Sequence, residues 1–92
     1  MKTYSESDSG AKLGQLDGWT FNNAGIEKQF QFVDFTHAFG FMTKVAILAE
    51  KANHHPEWSN VWNKVHIRLS THDAGGLTDK DFALALEIEN CL

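Results

Sequence analysis

The sequence predicts an α+β fold: a four-stranded antiparallel sheet with helices packed on one face, one of them long. Three observations carry this. Ile26, Lys28, Phe30 and Phe32 alternate with Glu27, Gln29 and Gln31, the period of a half-buried strand. Residues 35–53 hold no proline and are rich in apolar residues at helical spacing. Strand signals and helix signals then fall in separate blocks, which favours helices segregated to one face.

Residues 1–10, MKTYSESDSG, are polar and Ser-rich and read as a flexible N-terminal arm. Residues 11–92 read as a single domain. Within it, residues 11–16 can form a short helix that Gly14 weakens. Trp19-Thr20-Phe21 reads as a short strand, and Asn22-Asn23-Ala24-Gly25 as the turn that folds residues 26–32 back on it.

Asp34 or Thr36 can cap a helix that runs to about Asn53. At ~1.5 Å per residue it is roughly 27–30 Å long. Phe35, Phe39, Met42, Ala46 and Ala49 form one apolar stripe; Phe41, Val45, Leu48 and Ala52 form another. A helix apolar on two sides is covered on two sides. One stripe should face the sheet, and the other a second subunit.

Pro56 closes the helical region, because it biases His55 away from αR. A third strand follows, with Val61, Asn63, Val65, Ile67 and Leu69 on one face. A fourth is expected from a break near Trp62, but the pattern does not locate it. Residues 71–77 form a Gly-containing connection. Thr78 and Asp81 resemble a capping box with Asp in place of Glu. The last helix covers roughly residues 79–90, with Phe82, Ala85, Leu86 and Ile88 inward.

Composition bounds the function. Eight Lys and Arg against twelve Asp and Glu give a net charge of −4, and no basic block exists, so direct nucleic-acid binding is not expected. No run approaches the ~18–20 apolar residues that span a bilayer. Residues 1–20 lack an apolar signal segment. One cysteine, Cys91, cannot form an intrachain disulfide. A cytosolic or nuclear location is expected.

The chemistry concentrates in Glu50-Lys51-Ala52-Asn53-His54-His55-Pro56 and Ser70-Thr71-His72-Asp73. Imidazoles exchange protons near neutral pH. Glu50 and His54 are four apart and can touch on one helical face, where a carboxylate orients an imidazole. A helix C-terminus also favours a cationic histidine, which could explain one of the pair but not two followed by proline. His37 and His66 read as structural residues. Zinc is conceivable with three histidines plus Glu50 or Asp73. Adjacent histidine side chains diverge, however, and no HxH, HExxH or paired-Cys spacing exists, so no metal is expected.

These residues together resemble a known family. Glu50-x-x-x-His54-His55-Pro56-x-Trp58, Asn60 through Ile67, Leu69 through Asp73 and Gly76-Leu77-Thr78 closely resemble pterin-4a-carbinolamine dehydratase. Lys28-Gln29-Phe30, Asp34-Phe35 and Ala38 through Thr43 match it as well, so the likeness spans about residues 18–90. The resemblance implies dehydration of 4a-hydroxytetrahydropterin to quinonoid dihydropterin without a cofactor. This recycles the cofactor of aromatic amino-acid hydroxylases. His54, His55 and His72 would share the acid/base work, and Glu50 would tune a histidine. Asn53, His54, His55, Ser70, Thr71, His72 and Asp73 would line the pterin pocket. It also implies dimers paired through sheet edges and tetramers through the long helix, at Phe41, Val45 and Leu48. Some animal members act in addition as a dimerisation cofactor of a transcription factor, which is the competing reading. Asn53 stands where family members often have Asp, and Ala74 where some have Cys.

Overall fold

In a computed structural model, which describes residues 2–92, the elements follow in the order α1 (Glu6–Leu13), β1 (Thr20–Asn22), β2 (Gly25–Gln31), α2 (Phe35–Ala52), β3 (Glu57–Val61), β4 (Lys64–Leu69), a 3₁₀ turn (His72–Ala74) and α3 (Asp79–Asn90). The strands form one antiparallel sheet in the order β1-β2-β4-β3. Ile26, Phe30, Val65, Ile67 and Leu69 are buried on one face, beneath Ala38, Phe41, Val45 and Ala49 of α2 and Phe82, Leu84, Ala85 and Ile88 of α3. The alternate residues Glu27, Gln29, His66 and Arg68 belong to the opposite, polar face.

The N-terminus differs from the expected loose arm. Helix α1 begins at Glu6 and ends at Leu13, several residues before the expected 11–16. Ser5 caps it by accepting from the Asp8 amide at 3.1 Å. The buried Ser9 donates back to the Ser5 carbonyl at 2.6 Å. The serines that suggest a solvated arm therefore satisfy one another within a helix. Tyr4 is fastened too. Its amide donates to the Leu77 carbonyl at 2.9 Å, its ring meets Phe82 edge-on, and its hydroxyl donates to Asp79 at 2.5 Å. That bond lowers the Asp79 pKa and raises that of Tyr4. Met1 lies outside the described residues.

The two stripes of α2 divide differently from the expectation, which put Phe41, Val45 and Leu48 at a subunit contact, and Ala49 of the first stripe goes inward with them. Phe41 and Val45 are buried against the sheet, and Leu48 is partly buried. The exposed stripe contains Phe35, Phe39 and Ile47. Phe41 packs between Phe30 and Phe32, at centroid distances of 4.8 and 4.9 Å. Leu86 of α3, expected inward, is also half exposed.

The strand that the pattern left unlocated is β3. A two-residue turn at Trp62-Asn63 returns it to β4, with Val61 opposite Lys64. Trp62 takes φ 50°, a left-handed conformation that is uncommon for a bulky residue. Asn63 anchors the turn: its Nδ2 donates to the Phe32 carbonyl at 2.8 Å, and its carbonyl accepts from the Phe32 amide at 2.9 Å. At the opposite end of the sheet, Arg68 donates to the carbonyls of Asn22 (2.5 Å) and Asn23 (2.6 Å). Its guanidinium lies where a Cβ on Gly25 would stand, so a larger residue there would displace Arg68 from these carbonyls.

Candidate active site

The end of α2 is shaped by Asn53. It caps the helix in the left-handed region at φ 50°, a conformation asparagine tolerates better than most residues. The reversal sends the next two side chains in different directions. His54 turns inward and is buried, while His55 stays exposed. Pro56 follows and delivers the chain into β3.

His54 meets a carboxylate that lies 27 positions downstream. Its Nε2 is 2.5 Å from Oδ1 of Asp81, which is fully buried. The other carboxylate oxygen, Oδ2, accepts from Thr71 Oγ1 at 2.8 Å and from the Thr78 amide at 2.9 Å. The hydroxyls of Thr71 and Thr78 lie 2.8 Å apart. Asp81 is thus both the capping-box residue of α3 and the partner of a buried imidazole. A carboxylate only accepts, so Nε2 carries a proton toward Asp81, and in the neutral form of the ring the lone pair stands on Nδ1.

The other histidines have carboxylates of their own, in water. His55 Nε2 lies 2.9 Å from Glu50, and both side chains are largely exposed. Glu50 therefore serves His55 and not His54, because the left-handed Asn53 breaks the helical four-residue spacing. His72 Nε2 lies 3.4 Å from Glu57, with 84% of its side chain exposed. His37 pairs with its own helix cap Asp34, and His66 lies 3.7 Å from Glu27. Neither lines the cleft described next.

Asn53, His54, His55, Ser70, Thr71, His72 and Asp73 together line one cleft of ≈ 240 Å³, joined by Lys80. Larger hollows exist between α1 and α3 (≈ 340 Å³) and along the exposed side of α2 (≈ 550 Å³), but neither gathers histidines. Chemistry, not volume, selects the site. Ser70 is held by donating to the Ala24 carbonyl at 2.8 Å, which ties the cleft to the β1–β2 turn. Among the described residues no group of three or more His, Cys, Asp or Glu has a geometry suited to a metal ion.

Sequence reasoning missed Asp81, Glu57 and Lys80. One signal pointed to Asp81: it is an Asp where a capping box usually has the longer Glu or Gln. Glu57 and Lys80 gave none, since each reads locally as a solvated charge.

Known proteins resemble this chain over most of its length. The family described as "Pterin 4 alpha carbinolamine dehydratase" matches residues 2–91. A protein of Rhizobium johnstonii named "Putative pterin-4-alpha-carbinolamine dehydratase" is 57% identical over 81 residues, covering 86% of this chain and 80% of its own. One of the same name from Solibacter usitatus is 51% identical over 85 residues, covering 92% and 90%. The crystal structure of a "transcriptional coactivator/pterin dehydratase" from Brucella melitensis superposes with a TM-score of 0.93 at 40% identity, covering 97% of each chain. With the motif residues gathered in one cleft and relatives this similar over nearly their whole length, the chain belongs to the pterin-4a-carbinolamine dehydratase family, whose members are hydro-lyases.

Proposed function

We propose that the chain dehydrates 4a-hydroxytetrahydropterin by histidine acid/base catalysis. The observation that carries this is the meeting of three imidazoles in one cleft, one of them locked by a buried carboxylate. In the reaction, the C4a–O bond breaks as an acid delivers a proton to the hydroxyl, which leaves as water. A base takes the proton from N5, and the C4a–N5 double bond forms. Positioned imidazoles typically supply about 10²–10⁴-fold for such transfers. His54, with its proton held on Nε2, offers Nδ1 as a fixed base. His55 and His72, each beside a carboxylate in water, can be recharged by solvent between turnovers. Glu50 orients His55. Asn53 through His55 and Ser70 through Asp73 hold the flat pterin, partly through main-chain groups.

The metabolic role that fits is return of the quinonoid product to the tetrahydrobiopterin pool used by aromatic amino-acid hydroxylases. No cofactor is required by this chemistry. The enzyme would assemble through the free edge of β3 and through the exposed α2 stripe of Phe35, Phe39 and Ile47, giving a dimer or tetramer. The same stripe supports a second reading, a protein-interaction module acting as coactivator, as the name of the Brucella structure says of that protein.

A dehydration assay on freshly generated 4a-hydroxytetrahydropterin tests the first reading. Wild type should outpace buffer strongly, and His54→Ala and His72→Ala should lose most of that rate with unchanged circular dichroism. A wild type no faster than buffer would overturn it.

A further inference from the structure

The cleft is open on one side: His72 is 84% exposed, and among the described residues no Phe, Tyr or Trp lines it. The aromatic residue that could supply one stands far away on the same chain. Trp62 sits at the other end of β3, is 64% exposed, and holds φ 50°. The two-residue turn demands a positive φ there, which Gly or Asn would supply at lower cost, so it is the choice of tryptophan that calls for a reason.

The register of the sheet shows how Trp62 could reach a site. Phe32 N–H donates to the Asn63 carbonyl, so odd-numbered residues of β4 serve β2 and even-numbered ones serve β3. Lys64, His66 and Arg68 face Val61, Ser59 and Glu57. These three β3 residues therefore turn their backbone groups inward, and Trp58 and Asn60 turn theirs to the free edge. β3 carries no lysine, proline or bulge that would protect that edge, and ends in the exposed Val61.

Two copies can join there by an antiparallel two-fold pairing. Centring it on Ser59 pairs all five residues of β3, with Trp58 against the partner's Asn60. Centring it on either neighbour pairs fewer. The Ser59 register continues to set Pro56 against the partner's Trp62. Pro56 has no N–H to give, and the Trp62 carbonyl needs none, because Asn60 Nδ2 already donates to it at 3.1 Å. The one hydrogen bond this register cannot form is one that neither side lacks.

We propose that each cleft is completed by Trp62 of a second copy, whose indole packs over the bound pterin beside His55 and Pro56. This rests on the dehydratase reading and adds to it a residue acting in trans. A flat heterocycle stacked on an indole gains roughly tenfold in binding.

Two experiments test it. In a Cys91→Ser background, Ser59→Cys should oxidise to a covalent dimer and Val61→Cys should not, because facing residues at a non-hydrogen-bonded pair are close enough to bridge. Failure of Ser59→Cys to cross-link overturns the register. Then Trp62→Gly and His54→Ala are assayed alone and co-expressed. Trp62→Gly relieves the φ strain, so its melting temperature should not fall while kcat/KM drops roughly tenfold. Trp62→Asn, which tolerates the same φ, replaces it if the turn loosens. Co-expression should restore about a quarter of the wild-type rate, since half the dimers are mixed and each mixed dimer has one complete site. A rate equal to the mean of the two parents overturns action in trans. If wild type does not dehydrate the carbinolamine, the dehydratase reading fails. The cross-link then still reads the pairing, and equilibrium dialysis of a dihydropterin replaces rate in the mixing experiment.

Discussion

The cleft has two unlike halves. In the buried half, His54, Asp81, Thr71 and Thr78 close a hydrogen-bonded knot in which both carboxylate oxygens are engaged. In the exposed half, His55–Glu50 and His72–Glu57 are imidazole–carboxylate pairs in water, at 2.9 and 3.4 Å. The chemistry of the pairs is alike and the surroundings are not. Exposed pairs are worth about 0–1 kcal/mol and hold their geometry loosely. A buried, fully satisfied network is rigid, and leaving one member unpaired is costly. The knot should therefore govern both folding and rate, and the exposed pairs should adjust rate alone.

The sharpest way to break this contrast is Asp81→Ala. It removes a capping-box side chain and strands a buried imidazole, a hydroxyl and an amide. We expect a loss of about 3 kcal/mol in stability, read by urea melts, together with nearly all dehydratase activity. Melts close to wild type would show that the knot is not structural. Next in size is His72→Ala, which should cost rate by roughly 10²-fold with no change in the melt, because the side chain stands in solvent. A large loss of stability there would erase the distinction between the halves. Glu50→Gln should be milder, changing kcat/KM by less than about threefold, as an exposed partner contributes little.

The smallest effect concerns the far end of α2. The Asp34 carboxylate accepts from the His37 amide at 2.8 Å, and this bond holds its pKa below the ordinary 3.8. A depressed folded pKa contributes stability above 3.8 that is lost as pH falls through the lower folded value. Asp34→Asn keeps a capping oxygen and should flatten the acid limb of stability below pH 4 without altering activity at neutral pH. An unchanged acid limb would assign that limb to other carboxylates.

Much of the fold was legible because it rests on local period: the alternation over residues 26–32, the long apolar helix, and the turn at Asn22–Gly25; the turn at Trp62-Asn63 was not, and Val61, read with Val65 on one strand, ends β3 instead. The exposed pairs were half legible. The sequence offered Glu50 a partner four residues away, and the left-handed turn at Asn53 moved it one residue on. What stayed hidden is non-local. Both stripes of α2 are apolar, so only packing decides that Phe41 and Val45 go inward and Phe39 and Ile47 outward. The tie from Asp81 to His54 spans two strands, a 3₁₀ turn and the start of α3, and the local motif accounts for only one of its two oxygens. The helix at Glu6–Leu13 was masked by serines whose hydroxyls turn back to the backbone.

One side-by-side comparison tests the central claim, that the buried half of the cleft drives the proton transfer. Asp81→Asn keeps the size of the side chain and one oxygen to accept from Thr71 and the Thr78 amide, but its NH2 then donates to His54 Nε2 and so moves the ring proton to Nδ1. Assayed for 4a-hydroxytetrahydropterin dehydration beside Glu50→Gln, with circular dichroism showing both folded, Asp81→Asn should lose about 10²-fold or more in kcat/KM and Glu50→Gln less than about threefold. Equal small losses, or the reverse order, would contradict the account.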